Sequence, residues 1–333
     1  MNPKRLLMIS MDRKIFEEES AVRARQIEYA QKYDEVHIII FADSSFTEQV
    51  IAPNCWVYPT RSKFKLLYPF GAMSLGRFIV KNRGITEITC QDASLTAMAG
   101  ISLKKEFNLP VELQLHEDIG SPYFAASSLT HRFRRMLALT YLPKADHIRV
   151  VSNKIKDFLV EAVGIEPAKI EVRPIAVDIE WIKNAPITVD LHRKYPQFGK
   201  IVLMASRLEP EKNIDLAIKA FKEVVERSAR AGLVIVGNGS QQGKLESLVK
   251  SLNLNDSVIF EPWADKETLA SYYKTADIYL NTSMFEGYGM TFVEAKAAGC
   301  KIVSTDVGVA REMGAIITGH NASDIAEKII GIL

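Results

Sequence analysis

The feature that most constrains this chain is a short apolar run followed by an amphipathic stretch, repeated along nearly its whole length. In the first half the apolar runs are Arg5–Ser10, Val36–Ala42, Ile85–Asp92, Val111–Glu117, His147–Ser152 and Lys169–Ile175. Helical spacing lies between most of them, at about 20–33, 69–82, 93–107, 128–141 and 154–163. The second half continues with Ile201–Arg207, Leu233–Gly237, Val258–Glu261, Ile278–Thr282, Lys301–Thr305 and Ala315–Thr318. After the first of these, Ile214, Ile218, Phe221 and Val225 share one face at helical spacing over 213–229. Strands alternating with helices predict parallel sheets joined by right-handed crossovers.

Two such runs in series predict an α/β chain of two Rossmann-like, doubly wound domains facing across a cleft. Pro174, Pro186 and Pro196 punctuate the stretch between them, which places the division at 182/183, within a loop-rich 180–195. A length of 333 residues suits two domains of ordinary size. Ligands of such folds bind outside the carboxyl ends of the strands. Residues just past each apolar run are therefore the ones to search.

Composition removes several classes of function. The net charge is +2, from 42 basic and 40 acidic residues, so no global field points to nucleic acid. Cys55, Cys90 and Cys300 lie far apart with no CxxC pairing, which argues against a disulfide framework or a zinc site and suits a reducing compartment. Cys300, entering a strand, reads as a core residue. The first residues turn charged too early for a signal-peptide core, and no run reaches the ~20 apolar residues that span a bilayer. The expectation is a cytoplasmic protein.

The densest chemical signal is Glu286-Gly-Tyr-Gly-Met-Thr-Phe-Val-Glu294, followed by Ala-Lys-Ala-Ala-Gly299. It begins just past a strand and opens a helix. Gly287 and Gly289 let backbone approach a ligand closely, and the helix start offers unpaired N–H groups and a positive dipole end. If most of the interval is helical, the two carboxylates stand up to ~12 Å apart. That is too far for a dyad on one bond and suits the two ends of an extended ligand such as a nucleotide diphosphate sugar. A glycine-capped loop with two solvated glutamates is the plain alternative for any one Glu-Gly pair.

A second signal is Arg207-Leu-Glu-Pro-Glu-Lys212. Arg207 closes the first strand of the second domain and Lys212 precedes the next helix, so both cations sit at the carboxyl edge. A guanidinium fork, a compact ammonium and free backbone donors suit a pyrophosphate. The competing reading pairs both cations with Glu209 and Glu211 on a wet surface.

Together these segments resemble the retaining GT-B glycosyltransferases of family 4, most specifically from Ile201 to Arg311. The resemblance implies that Arg207 and Lys212 hold the donor diphosphate and that Glu286 lies against the donor sugar. It implies backbone contacts from Gly287, Tyr288, Gly289 and Met290, and ribose contacts from Glu294. Gly237 and Gly239 are similar to the family's glycine turn, and Glu261-Pro262-Trp263 to its base-pocket segment. In the first domain Leu115-His116-Glu117-Asp118 resembles the active-site histidine segment, with Gln91 and Asp92 near the same edge. The implied catalytic set is His116, Glu286, Arg207 and Lys212. No Asp-x-Asp occurs, so activity without a metal or other cofactor is expected. The implied partners are a nucleotide diphosphate sugar donor and a glycan or lipid-linked acceptor.

Two places depart from the family. The loop Met11–Ser20 carries no glycine pair, so acceptor contacts do not transfer to it. The chain stops at Ala322–Leu333, which reads as the last helix of the second sheet, without the helix that crosses back to the first domain. His131–Met136, basic and apolar, reads either as a peripheral membrane contact or as a solvated helix face. Other readings of the whole chain are a nucleotide-sugar epimerase, or a non-catalytic nucleotide-sugar or glycan binding protein on a degenerate scaffold. A dehydrogenase is disfavoured by the missing G-x-G-x-x-G after the first strand.

Overall fold

The computed structural model describes residues 3–333, which form two compact units, each an α/β layer structure on its own sheet. The first takes the described residues up to Gly120 with Ala125–Arg173; the second takes Ser121–Phe124 and Pro174–Leu333. The expectation of two Rossmann-like units holds. The second begins ahead of the 182/183 division because helix Ile179–Asn184 packs on helix Met290–Ala297, and Lys274 Nζ donates to the Lys183 carbonyl at 2.9 Å.

The first sheet has eight strands: β1 Arg5–Ser10, β2 Glu35–Ile40, β3 Gln49–Ala52, β4 Cys55–Pro59, β5 Glu87–Cys90, β6 Val111–Leu115, β7 His147–Val150 and β8 Ile170–Val172. Their order is β3-β4-β2-β1-β5-β6-β7-β8. All neighbours run parallel except β3 and β4, an edge hairpin. This corrects the all-parallel reading. The two short strands carry no long apolar run, and the turn is held from outside by Asn54 Nδ2, which donates to the Ala30 and Tyr33 carbonyls at 2.9 and 3.0 Å.

On this sheet, helices Tyr68–Arg83, Leu95–Phe107 and Leu129–Tyr141 pack side by side in chain order. The glycine-free loop after β1 folds as a 3-10 turn, Arg13–Phe16, where Asp12 Oδ1 accepts from Lys14 N at 3.1 Å. Arg13 then reaches the Phe41 carbonyl at 2.9 Å and the Tyr68 hydroxyl at 2.7 Å.

The second sheet is wholly parallel: β9 Lys200–Ala205, β10 Ala231–Val236, β11 Val258–Glu261, β12 Ile278–Asn281, β13 Lys301–Thr305 and β14 Ile316–Thr318, in the order β11-β10-β9-β12-β13-β14. The strand order reverses between β9 and β12, the position where doubly wound folds open a crevice. The loops after these two strands carry both sequence signals. Helix Ile214–Arg227 buries Ile214, Ile218, Phe221 and Val224, with Val225 only at the margin. Each fully buried side chain of this kind contributes about 1.5–3 kcal/mol. Helix Ala322–Ile330 covers it from outside. Among the described residues no helix is long and apolar enough to cross a membrane.

Candidate active site

In the second unit, Ser206–Asn213 follows β9 and is laced to two neighbouring loops. Leu208 N donates to the Asn238 carbonyl at 2.9 Å, and Gln241 N to the Leu208 carbonyl at 2.9 Å. Glu209 accepts from Ser240 N at 2.9 Å and Ser240 Oγ at 2.7 Å, and these bonds hold its carboxyl below the usual range. On the other side Met284 N donates to the Glu211 carbonyl at 2.8 Å. Thr282 Oγ1 donates to the Lys212 and Asn213 carbonyls at 3.1 and 3.0 Å.

This lacing brings Lys212 to Glu286. Lys212 Nζ stands 2.5 Å from Glu286 Oε1, and Ser283 Oγ donates to the same oxygen at 2.9 Å. Both side chains are only about one-seventh exposed. Arg207 differs from expectation: β9 ends at Ala205, and Arg207 lies beyond it, 65% exposed and paired with Glu211 at 2.8 Å. The wet-surface pairing therefore describes Arg207 but not Lys212.

Gly289, at φ +83°, caps helix Met290–Ala297. Only the later part of the Glu286–Glu294 interval, from Met290 on, is helical, so Glu294 stands on the helix while Glu286 stands on the loop before it. Gly287 and Tyr288 lie in the loop; Tyr288 is buried, whereas the Met290 side chain at the helix start is exposed. The loop is pressed from the far side by Gly308, which the sequence reading missed. Gly308 has φ +50°, and a Cβ there would overlap the Tyr288 carbonyl oxygen and stand 3.1 Å from Glu286 Cβ. Val309 N donates to that same carbonyl at 2.9 Å.

Glu294 Oε2 accepts from the Tyr273 hydroxyl at 3.2 Å. Burial pushes the Glu294 carboxyl above its ordinary range, with Tyr273 partly opposing the shift. Tyr273 is itself buried, edge-on to Tyr279 at 5.4 Å. Gly237, just past β10, has φ +140°, and a Cβ there would overlap the Ser206 carbonyl oxygen, so only glycine fits. Trp263, past β11, is 63% exposed. The preceding Glu261 is held by Lys194 Nζ at 2.5 Å and by the Tyr195 hydroxyl. Ser121–Phe124 also belong to this unit, with buried Phe124 packed edge-on against Phe285 at 5.4 Å.

His116 lies in the first unit, just past β6, and is exposed. Its Nε2 meets Gln114 Oε1 at 3.2 Å. The orientation of that amide is set elsewhere: Gln114 Nε2 donates to Glu112 Oε1 at 3.0 Å and Thr89 Oγ1 at 3.1 Å. Thr89 Oγ1 donates to the same carboxylate at 2.9 Å. Gln114 therefore offers an acceptor to His116, so Nε2 carries the proton and Nδ1 the lone pair. Desolvation, followed by the Arg149 guanidinium, lowers the His116 pKa.

Asp92 accepts from Ser94 N at 2.7 Å and Leu95 N at 3.0 Å at the start of a helix. Arg134 bridges Asp92 at 2.9 Å and Glu117 at 2.7 Å. Arg135 Nε donates to the Ile119 carbonyl at 2.8 Å. The His131–Met136 cluster is thus not a uniform basic face: two of its arginines turn inward, while Phe133 and Met136 are exposed.

Residues 27–181 match the family model Glycosyltransferase Family 4, and residues 192–333 match Glycosyl transferases group 1. The chain is 26% identical over 237 residues to the alpha-monoglucosyldiacylglycerol synthase of Streptococcus pneumoniae, covering 68% of this chain and 53% of that one. It spans about half the length of the curated relatives it matches. Among solved structures it superposes on sucrose-phosphate synthase from Thermosynechococcus elongatus with a TM-score of 0.76 at 20% identity, over 99% of this chain and 89% of that one. On Anabaena HepE in complex with UDP the TM-score is 0.71 at 19% identity, over 98% and 89%. At such identities the likeness is one of fold. Family models over both units, on two Rossmann-like sheets of the GT-B kind, identify the chain as a member of glycosyltransferase family 4 whose second unit is of the group 1 type.

Proposed function

We propose that this chain is a retaining glycosyltransferase that moves a hexose-type sugar from a nucleotide diphosphate donor to a glycan or lipid-linked acceptor, without a metal ion. The observation that carries the reading is the Lys212–Glu286 pair, set at the sheet's switch point beside the start of helix Met290–Ala297. Cation, carboxylate and free helix N–H groups there suit a sugar diphosphate. The UDP of the Anabaena HepE complex and the glycolipid in the pneumococcal relative's name supply the donor and acceptor classes.

In this reading the second unit is the donor side and the first the acceptor side, at the cytoplasmic face of a membrane. Lys212 and Arg207 hold the diphosphate, and Glu286 exchanges its ammonium partner for sugar hydroxyls. Gly287, Tyr288, Gly289 and Met290 offer backbone groups to sugar and phosphate. Glu294 accepts from the ribose hydroxyls, Gly237 admits the nucleotide past its turn, and Trp263 flanks the base. His116 orients the sugar through its Nδ1 acceptor. The bond from the anomeric carbon to the diphosphate oxygen breaks while the acceptor oxygen bonds to the same face of that carbon. The acceptor proton passes to the departing diphosphate. The two cations and the helix dipole stabilise the developing charge in place of a metal.

Thermal stability with UDP, GDP and ADP, with and without EDTA, tests the reading. A diphosphate at about 100 times its Kd should stabilise the fold by ~2.7 kcal/mol. The expected result is stabilisation by one nucleotide, insensitive to EDTA and lost in Lys212→Ala. No stabilisation by any of the three would overturn the donor site, and dependence on a metal would overturn the metal-free mechanism.

A further inference from the structure

We infer that the surface formed by 61–81 of the first unit docks the chain on an anionic lipid bilayer. Residues 63–67, Lys-Phe-Lys-Leu-Leu, are all exposed, with Phe64 at 66% and Leu66 at 83%. They enter helix Tyr68–Arg83, which turns Ala72, Met73, Gly76 and Ile79 inward and leaves Phe70 and Phe78 outside, at 55% and 64% exposure. The helix thus sets two phenylalanines on its outward side among Ser74, Arg77 and Lys81, a mixed apolar and basic face. It is held firmly, packed along helix Leu95–Phe107, so these side chains are displayed from a rigid element.

Charge decides what covers them. From Gln49 to Thr86 the chain contains no Asp or Glu, while Arg61, Lys63, Lys65 and Lys81 are exposed among the apolar groups. Arg77 is set apart by its pairing with Glu106 at 2.7 Å. Large apolar side chains interleaved with unneutralised cations match an interface where acyl chains lie beneath anionic headgroups. A second copy would bring like charge against like charge across a two-fold interface. A nucleic-acid backbone would use the lysines and leave the phenylalanines and leucines in water. The surface also begins just past β4, at the carboxyl edge of the sheet that carries His116 past β6. Bilayer docking therefore deepens the proposed function by giving a lipid-linked acceptor a place of encounter, and only that consequence rests on it.

The test is flotation of the full chain with vesicles of phosphatidylcholine, with or without phosphatidylglycerol. Binding is expected to require phosphatidylglycerol and to fall at high salt. Lys63→Ser with Lys65→Ser should weaken it about 25-fold, near fivefold per charge, and Phe64→Ser with Leu66→Ser by at least roughly tenfold. Phe133→Ser with Met136→Ser, on helix Leu129–Tyr141 beyond helix Leu95–Phe107, should leave it unchanged. Absence of vesicle binding, equal binding by the 63–66 variants, or loss only in the 133/136 variant would overturn the assignment. So would binding to a DNA duplex, lost in the lysine variant, in place of binding to vesicles. UDP stabilisation measured on the same samples separates the two readings: its failure in the wild type would count against the donor site, and vesicle binding would still decide the docking surface.

Discussion

Lys212 and Glu286 form an ion pair at 2.5 Å that joins the loops following two adjacent strands of the second sheet, β9 and β12. Ser283 Oγ bonds the same carboxylate oxygen, so removing Lys212 leaves Glu286 with a neutral donor only. Lys212→Ala should cost about 1–3 kcal/mol of stability from the uncompensated carboxylate. If the lysine also neutralises a leaving diphosphate, kcat should fall by roughly 10²–10³. Calorimetry and sugar-transfer rates on one preparation check both. An unchanged kcat would remove Lys212 from the chemistry.

Gly308 presses on the loop that carries Glu286 and Tyr288. Gly308→Ala adds a methyl group against the Tyr288 carbonyl at φ +50°, and strain of this kind costs about 1–3 kcal/mol. The loop is expected to yield before the core does, so UDP affinity should fall more than the melting temperature. Titration calorimetry beside a melting curve distinguishes this from general destabilisation, which would lower Tm and leave affinity in the folded range intact.

Glu294 supplies a pH dependence. Burial raises its folded pKa above the ordinary value, so between the two the native state binds the extra proton. Its contribution to stability is therefore present at low pH and lost as pH rises through the folded pKa. Ribose hydroxyls that donate to the carboxylate favour its ionised form. UDP affinity should accordingly increase with pH across that range, and Glu294→Gln should flatten the profile. A wild-type profile as flat as the variant's would argue against ribose contact.

Gln114 fixes the His116 tautomer through a side chain oriented by Glu112 and Thr89. Nitrogen NMR should find the neutral ring protonated at Nε2. Gln114→Leu should give a tautomer mixture and lower kcat by about tenfold or more while the fold is kept. Protonation at Nδ1 in the wild type would overturn the arrangement.

Three strands were legible to the residue. β1, β11 and β13 begin and end where their apolar runs do, because a continuous apolar run bounded by polar residues has little else to form. The hairpin β3–β4 was not, since its strands are short and its turn is anchored by Asn54 bonds to residues more than twenty positions earlier. Within the helix after β9, spacing alone could not separate Val224 from Val225; in the folded unit Val224 joins the buried core and Val225 sits at its margin.

The candidate site divides in the same way. Alternation of strands and helices determined two largely parallel-sheet units, and motifs past the ends of β9 and β12 marked the candidate edge, because local spacing controls both. Tertiary structure decided that Lys212 meets Glu286, that Arg207 stays in water on Glu211, that Arg134 turns inward to Asp92, and that Gly308 and Tyr273 belong to the site. Apart from the local Arg207–Glu211 pair, which the sequence offered as an alternative, these contacts join segments brought together by strand order or by helix packing. A side chain's partner depends on what the fold sets within a few ångströms of it, and residues 74 positions apart, as Lys212 and Glu286 are, carry no local signal of that proximity.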